Sequence, residues 1–198
     1  MINAIILAAG ESKRMGKLKP LLKFEDKTFL EQIISVLKLS DVDRISVVLG
    51  AEAETIKKSV DLSGANLVIN RNYQKGQLSS LIVGIEDTQE ETEAILVCLV
   101  DKPFITEGIV NKIISKFKET NSPIIVPVFN KKRGHPTLFS RSLFNELLDA
   151  PEDQGARYVV HSNNEKVFEL ETSDSGILIS IDTPEDYKAY FGNKPEIL

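Results

Sequence analysis

Short apolar runs alternate with stretches of helical spacing through the first half of the chain, and this alternation is what most restricts the fold. Residues 3–7 are apolar and bounded by small residues, as a strand buried on both faces requires. Arg44–Leu49 (RISVVL), residues 65–69 (ANLVI) and residues 94–100 (AILVCLV) read as further strands. Between them, Thr28 and Glu31 have capping-box spacing ahead of Ile33, Ile34 and Leu37, and residues 52–59 and 76–85 read as two more helices. Strands separated by helices pair in parallel through crossover connections, so an α/β protein with a mainly parallel sheet in three layers is expected.

The second half is less regular. Residues 124–128, 134–139, 167–170 and 177–181 read as strands, and residues 142–148 and 156–161 as helices. A last helix over 183–190 has Thr183 as its cap, Pro184 at its first position and Asp186 three residues after the cap. No repeat, linker or low-complexity segment divides the 198 residues, so one domain over 1–191 is expected, followed by a loose tail at 192–198.

A net charge of -5 offers no global positive field to a nucleic acid, and none is expected as a partner. An anionic small molecule would have to be held by local lysines, arginines and backbone amides. Cys98 is the single cysteine and lies inside an apolar run, which excludes an intrachain disulfide and a cysteine-rich metal cage and makes it a small buried hydrophobe. No apolar stretch approaches the roughly 18 residues of a membrane span. The first residues are apolar before they are basic, the reverse of a secretory signal, so a cytoplasmic protein without a membrane partner is expected.

In parallel sheets ligands gather at the carboxyl ends of strands, which directs attention to the loops after Leu7, Val100 and Ile181. The first is LAAGESKRMGKLKPLL, residues 7–22. Ala8, Ala9 and Gly10 let the backbone approach a ligand, and Lys13, Arg14, Lys17 and Lys19 supply charge for phosphates. It is not a Walker loop, because five residues separate Gly10 from Gly16 and Leu18 follows Lys17, and the dinucleotide fingerprint is absent. By composition alone such a loop is more often a solvated surface. Asp101, where a buried strand meets a loop, suits either a magnesium ligand or a turn aspartate.

The loop resembles LAAGxSxRMGxxKxLL, the opening signature of the MobA-like nucleotidyltransferases, and within them looks most like the molybdenum cofactor cytidylyltransferases. GQLSSLIVG (76–84), LVDKPF (99–104), GHPTLFSR (134–141), DQGAR (153–157) and IDTPEDY (181–187) agree in order and span nearly the whole chain. The resemblance implies a Rossmann-like nucleotide-diphospho-sugar transferase architecture. It also implies magnesium-dependent transfer of CMP from CTP to a molybdopterin-type cofactor with release of pyrophosphate. It makes Leu7, Ala8, Ala9, Gly10, Arg14 and Lys19 nucleotide-binding, with Arg14, Lys19 and Asp101 catalytic and Asp101 and Asp182 the Mg2+ ligands.

Gln77, Ser79 and Ser80 would meet the base or ribose, and equally suit helix capping. His135 would lie near the acceptor or hold a hairpin, while His161, with no motif around it, reads as ordinary surface. One departure is that relatives usually read DIDTPED where this chain has Ser180-Ile181-Asp182, on the same face as Asp182. Ala9, where the guanylyl branch has LAGG, favours CTP over GTP. The alternatives are another phosphorylated acceptor, GTP as donor, or a non-catalytic nucleotide-binding regulatory domain, which Ser180 alone favours.

Overall fold

The computed structural model describes residues 1–197. In chain order the elements are β1 (Ile2–Leu7), β2 (Lys23–Phe24), β3 (Lys27–Thr28), α1 (Phe29–Lys38), β4 (Arg44–Leu49), α2 (Ala53–Ser59), β5 (Asn66–Ile69), α3 (Gln77–Glu86) and β6 (Ala94–Leu99). They continue with α4 (Glu107–Thr120), β7 (Ile124–Phe129), β8 (Lys132–Arg133), β9 (Thr137–Ser140), α5 (Phe144–Leu148), α6 (Ala156–Ser162), β10 (Val167–Glu171) and α7 (Pro184–Phe191).

The main sheet has the order β10-β7-β9-β6-β1-β4-β5, with β8 paired to β7. β4, β1 and β6 are parallel neighbours, as are β4 with β5 and β7 with β10, while β9 runs antiparallel between β6 and β7. Alternation along β1 divides the core: Ile2, Ala4 and Ile6 pack with α1 and α4 on one face, and Ile5 and Leu7 with α3 and α5 on the other. The expected three-layer, mainly parallel α/β architecture is therefore present.

The α1 capping box forms as read: Thr28 Oγ1 accepts from Glu31 N at 3.1 Å and the Glu31 carboxylate accepts from Thr28 N at 2.8 Å. The segment between β6 and β7, unassigned from sequence, is the long helix α4. Thr106 caps it, and Ile109, Val110, Ile113, Ile114 and Phe117 recur at helical spacing and are all buried. The strand expected over 134–139 is shorter, because Gly134, His135 and Pro136 form a loop with a cis His135-Pro136 bond ahead of β9.

Two expectations are corrected. Residues 177–181 do not form a strand. Ser175–Leu178 is a 3-10 turn closed by Asp174 Oδ1 accepting from Gly176 N at 2.9 Å. The bonds that follow go to two separate segments, from His135 N to Ile177 O at 3.0 Å and from Ile181 N to Asp101 O at 2.8 Å, so no ladder forms. Apolar alternation alone does not separate an extended buried segment from a paired strand. Nor is the segment from Gly192 to Ile197 loose. Gly192 ends α7 with φ +75°, Leu22 bridges to Ile197, Lys23 N donates to Glu196 O at 2.8 Å and Lys17 Nζ to Pro195 O at 2.7 Å.

Helix α3 approaches the sheet at Gly84, where a Cβ would lie 2.7 Å from Ile5 Cγ2 and 3.3 Å from a Val48 methyl. Gly84→Ala gains up to about 1 kcal/mol of helix propensity but overpacks a close contact, which costs roughly 1–3 kcal/mol. A net loss of stability in urea denaturation is expected; a gain would mean that α3 sits further from β1.

Candidate active site

The register of β1 against β6 pairs Leu7 with Leu99, so the loops after both strands leave the sheet side by side. Ala8 N donates to Val48 O at 2.9 Å and Ala9 O accepts from Ala51 N at 3.0 Å, which ties the start of the glycine loop to the end of β4. Ala8 and Ala9 are buried and Gly10 is exposed. The loop then folds around Ser12. Its carbonyl accepts from Met15 N and Gly16 N, each at 3.0 Å, and its hydroxyl accepts from Lys19 N at 3.0 Å. Met15 is buried in the core and anchors the loop. The outer wall, from Glu11 to Arg14 together with Lys19, encloses a recess of about 280 Å³.

Asp101 and Asp182, far apart in sequence, share one cluster of polar groups. Lys19 Nζ lies 2.6 Å from Asp182 Oδ1 and 3.9 Å from Asp101 Oδ2, and Arg14 Nη2 lies 2.9 Å from the same Asp182 oxygen. Ser180 Oγ is 2.7 Å from Asp101 Oδ2 and 3.2 Å from Asp182 Oδ2. Burial would raise the Asp182 carboxyl, but Lys19, Arg14 and Ser180 outweigh it and hold it below the ordinary aspartate value. The Lys19 side chain is 12% exposed and that of Arg14 72%, so water screens the arginine pair far more.

Asp182 reaches this place through α7. Thr183 and Asp186 make a capping box, and the Asp186 carboxylate accepts from Asp182 N at 3.0 Å and from Thr183 N at 2.9 Å. Tyr187 sends its hydroxyl to Lys23 O at 2.8 Å and stacks on Phe29, centroids 6.1 Å apart, which bolts α7 onto the start of α1.

Lys102, next to Asp101, borders a second and larger cavity of about 600 Å³ on the α3 and α6 side of the sheet. Leu7, Leu78, Val97, Leu99 and Phe139 form its apolar lining, and Gln77, Arg133, His135, Arg157 and His161 its polar part. Burial pushes Lys102 below the ordinary lysine value against the opposing pull of Asp101 and Asp182. His161, expected as ordinary surface, is exposed but belongs to this wall, as do Arg133 and Arg157. The first two carry no sequence signal of their own; only the fold brings α6 and the β8 turn over the cavity.

His135 is fixed from its backbone. Gly134 lies so close to the Ile177 turn that a Cβ would be 2.6 Å from Ile177 O, and Gly134 N donates to Pro127 O at 2.8 Å. His135 Nδ1 is buried with no hydrogen-bond partner among the described residues. Burial, with the nearby Lys102 charge, lowers its pKa to about 4 against the pull of Asp101 and a bond to the Val97 backbone. The imidazole is therefore neutral near pH 7.

The residues at the start of α3 divide. Gln77 is exposed at the cavity, whereas Ser80 is buried and accepts from Asn70 Nδ2 at 3.0 Å. Ser79 accepts from the same amide at 2.9 Å and donates to Gly76 O at 2.8 Å. The two serines thus hold residues 70–76 against the helix, with buried Asn70 as the hub. Asn70 went unnoticed in the sequence because nothing in its local pattern marks it. Cys98 is buried, and burial lifts its thiol to about 12, as an inert core residue requires.

The domain model of the MobA-like NTP transferases matches residues 4–167. The chain belongs to this family. It is a nucleotidyltransferase related to the molybdenum cofactor cytidylyltransferase of Escherichia coli K12, with 30% identity over 94% of this chain and 93% of that protein. Nicotine blue oxidoreductase of Paenarthrobacter nicotinovorans is 26% identical, with 93% of each chain covered. The crystal structure of Rv0371c from Mycobacterium tuberculosis H37Rv superposes with a TM-score of 0.87 at 29% identity, covering 97% of both chains. Its complex with manganese superposes with a TM-score of 0.82 at 27% identity, covering 97% of this chain and 98% of that one. Among the described residues, no helix of the nucleotidyltransferase is long and apolar enough to cross a membrane.

His135 gives stability a defined pH dependence. The unfolded chain takes up its proton near the ordinary 6.5 and the folded chain only near 4, so between these values the unfolded state binds more protons. The contribution is whole above 6.5 and is lost as pH falls toward 4, on the order of 3 kcal/mol in full. Urea denaturation from pH 7 to 4 without added metal is expected to show a shallower fall in His135→Gln than in the parent; identical slopes would place the imidazole in water.

Proposed function

We propose that this nucleotidyltransferase moves CMP from CTP onto the phosphate of a molybdopterin-type cofactor and releases pyrophosphate, with Mg2+ held by Asp101 and Asp182. The observation that carries the reading is the joint approach of Lys19 and Arg14 to the Asp101 and Asp182 pair, beside the glycine loop. An acceptor phosphate oxygen attacks the α-phosphorus, and the bond from that phosphorus to the oxygen bridging to the β-phosphate breaks. The nucleophile is already an anion, so no general base is needed, in keeping with a neutral His135. The work left to the protein is positioning and charge neutralisation.

Leu7, Ala8, Ala9 and Gly10 bring backbone close to the triphosphate, and Arg14 and Lys19 balance its charge. Gln77 faces the base or ribose from the exposed start of α3, with Ser79 and Ser80 shaping that edge through Asn70. The larger cavity takes the acceptor. Lys102, Arg133 and Arg157 suit an anion, the apolar lining suits a ring system, and His135 Nδ1 offers an unused polar atom.

Among the described residues no three His, Cys, Asp or Glu side chains gather as a metal cage, which leaves the two aspartates as the protein's share. That share suits magnesium, which commonly takes one or two carboxylates and completes its shell with waters and substrate phosphates. Lys19 Nζ, within 4 Å of both carboxylates, is itself a cation shared by the pair, so their spacing accommodates a common positive charge. When bound, the ion would polarise phosphate oxygens and neutralise charge on the leaving group. The manganese complex of the Rv0371c relative supports a divalent ion as the cofactor.

The reaction is tested by incubating the protein with CTP or GTP and molybdopterin, or another phosphorylated acceptor, and identifying products by mass spectrometry. A cytidylylated molybdopterin and a preference for CTP, which Ala9 favours, are expected; equal or better use of GTP sinks the base assignment.

A shared metal has its own signature. Asp101→Asn and Asp182→Asn should each raise the Mg2+ concentration for half-maximal turnover by at least the roughly 10- to 100-fold that losing an outer partner of a metal ligand costs. The double variant should lose much less than the two single losses combined. Additive losses would mean separate roles.

A further inference from the structure

Ser180 touches both aspartates and belongs to none of the roles assigned above. It lies on the extended segment after the 3-10 turn, two residues before Asp182, so the two side chains leave the backbone on the same side. Its hydroxyl reaches Oδ2 of Asp101 at 2.7 Å and Oδ2 of Asp182 at 3.2 Å, whereas Lys19 and Arg14 bond Asp182 through Oδ1. The backbone beneath is fixed independently, by Ile181 N donating to Asp101 O and by the Asp186 carboxylate accepting from Asp182 N.

Backbone anchoring leaves each carboxylate free to turn about its side-chain torsions, and two like charges that share one hydroxyl and one ammonium group turn away from each other unless something holds them. The donors to the pair are Lys19, Arg14 and Ser180. The first two are the groups that a triphosphate engages. Ser180 is the uncharged donor, for which a triphosphate competes less strongly than for the two cations.

We propose that Ser180 is a positioning residue that orients Asp101 and Asp182 toward one divalent cation through their Oδ2 atoms. The hydroxyl has a single proton, and the shorter distance assigns it mainly to Asp101. A hydrogen bond to a ligating carboxylate fixes the direction of the remaining lone pairs, and losing such a partner typically lowers metal affinity 10- to 100-fold. The inference rests on the reading of the aspartate pair as a metal site.

The test uses the full chain with Mn2+ and the non-transferable donor α,β-methylene CTP, following free Mn2+ by electron paramagnetic resonance alongside thermal melting. Ser180→Ala should bind Mn2+ roughly 10- to 100-fold more weakly and, in a separate assay with CTP and the acceptor, need correspondingly more metal for turnover, with a near-parent KM for CTP at saturating metal. Ser180→Thr, which keeps the hydroxyl, should restore Mn2+ binding to within a few-fold of the parent. A Ser180→Ala protein with parental Mn2+ affinity overturns the role, as does a folded Ser180→Thr protein as impaired as the alanine variant. If Ser180→Ala does not fold, the threonine variant decides alone: parental Mn2+ affinity supports the hydroxyl, and weakened affinity in a folded protein rejects it. No Mn2+ binding by the unsubstituted protein would instead sink the metal reading itself, and this inference with it.

Discussion

The parallel register between β1 and β6 governs the rest of the molecule. Leu7 lies opposite Leu99, and Val100 N still donates to Leu7 O at 3.2 Å, so the glycine loop and Asp101 emerge from the sheet as neighbours. The sheet is buried on both faces, and a one-residue slip would exchange the side chains committed to its two cores. Ile5 and Leu7 would turn toward α1 and Ile6 toward α3, which packing forbids. The separation between the loop cations and Asp101 is thus set largely by apolar contacts on the two faces of the sheet.

The second aspartate is held by different means. α7 is fastened by Tyr187, Phe191 and Phe29, with the Tyr187 and Phe191 rings 4.5 Å apart, and by the Tyr187 hydroxyl bond to Lys23 O. Its capping box immobilises the backbone at Asp182, and the bond from Ile181 N to Asp101 O joins the two aspartate segments directly. Aromatic packing therefore sets where Asp182 stands, and main-chain bonds set how close its segment comes to Asp101. In an acidic protein of net charge -5, Lys19, Arg14 and Lys102 gather at this edge around Asp101 and Asp182.

Much of this was legible in the amino-acid order. Buried strands at β1, β4 and β6, the capping boxes of α1 and α7, and the family's segments from the glycine loop to IDTPEDY are local patterns, and local patterns survive in sequence. α4 carries the same kind of local signal, Thr106 and five apolar residues at helical spacing, yet went unassigned from sequence. The segment at 177–181 was misread because an extended apolar stretch looks the same whether its bonds form a ladder or go singly to His135 and Asp101. Asn70 and the cavity-wall residues Arg133 and His161 lay beyond reach, since each depends on a neighbour distant in the chain, whereas Arg157 stands in the DQGAR segment.

The sequence by itself determined the fold class, the family and which charged and polar residues the motif segments carry, because burial patterns, caps and motif residues are set by adjacent positions. Only the tertiary structure decided that Asp101 and Asp182 share Lys19 and Ser180, that His135 stands neutral with an unused nitrogen, and that the C-terminal residues to Ile197 are docked. Those outcomes depend on distances between segments far apart in the chain, which strand register and the packing of α7 set and no local pattern encodes.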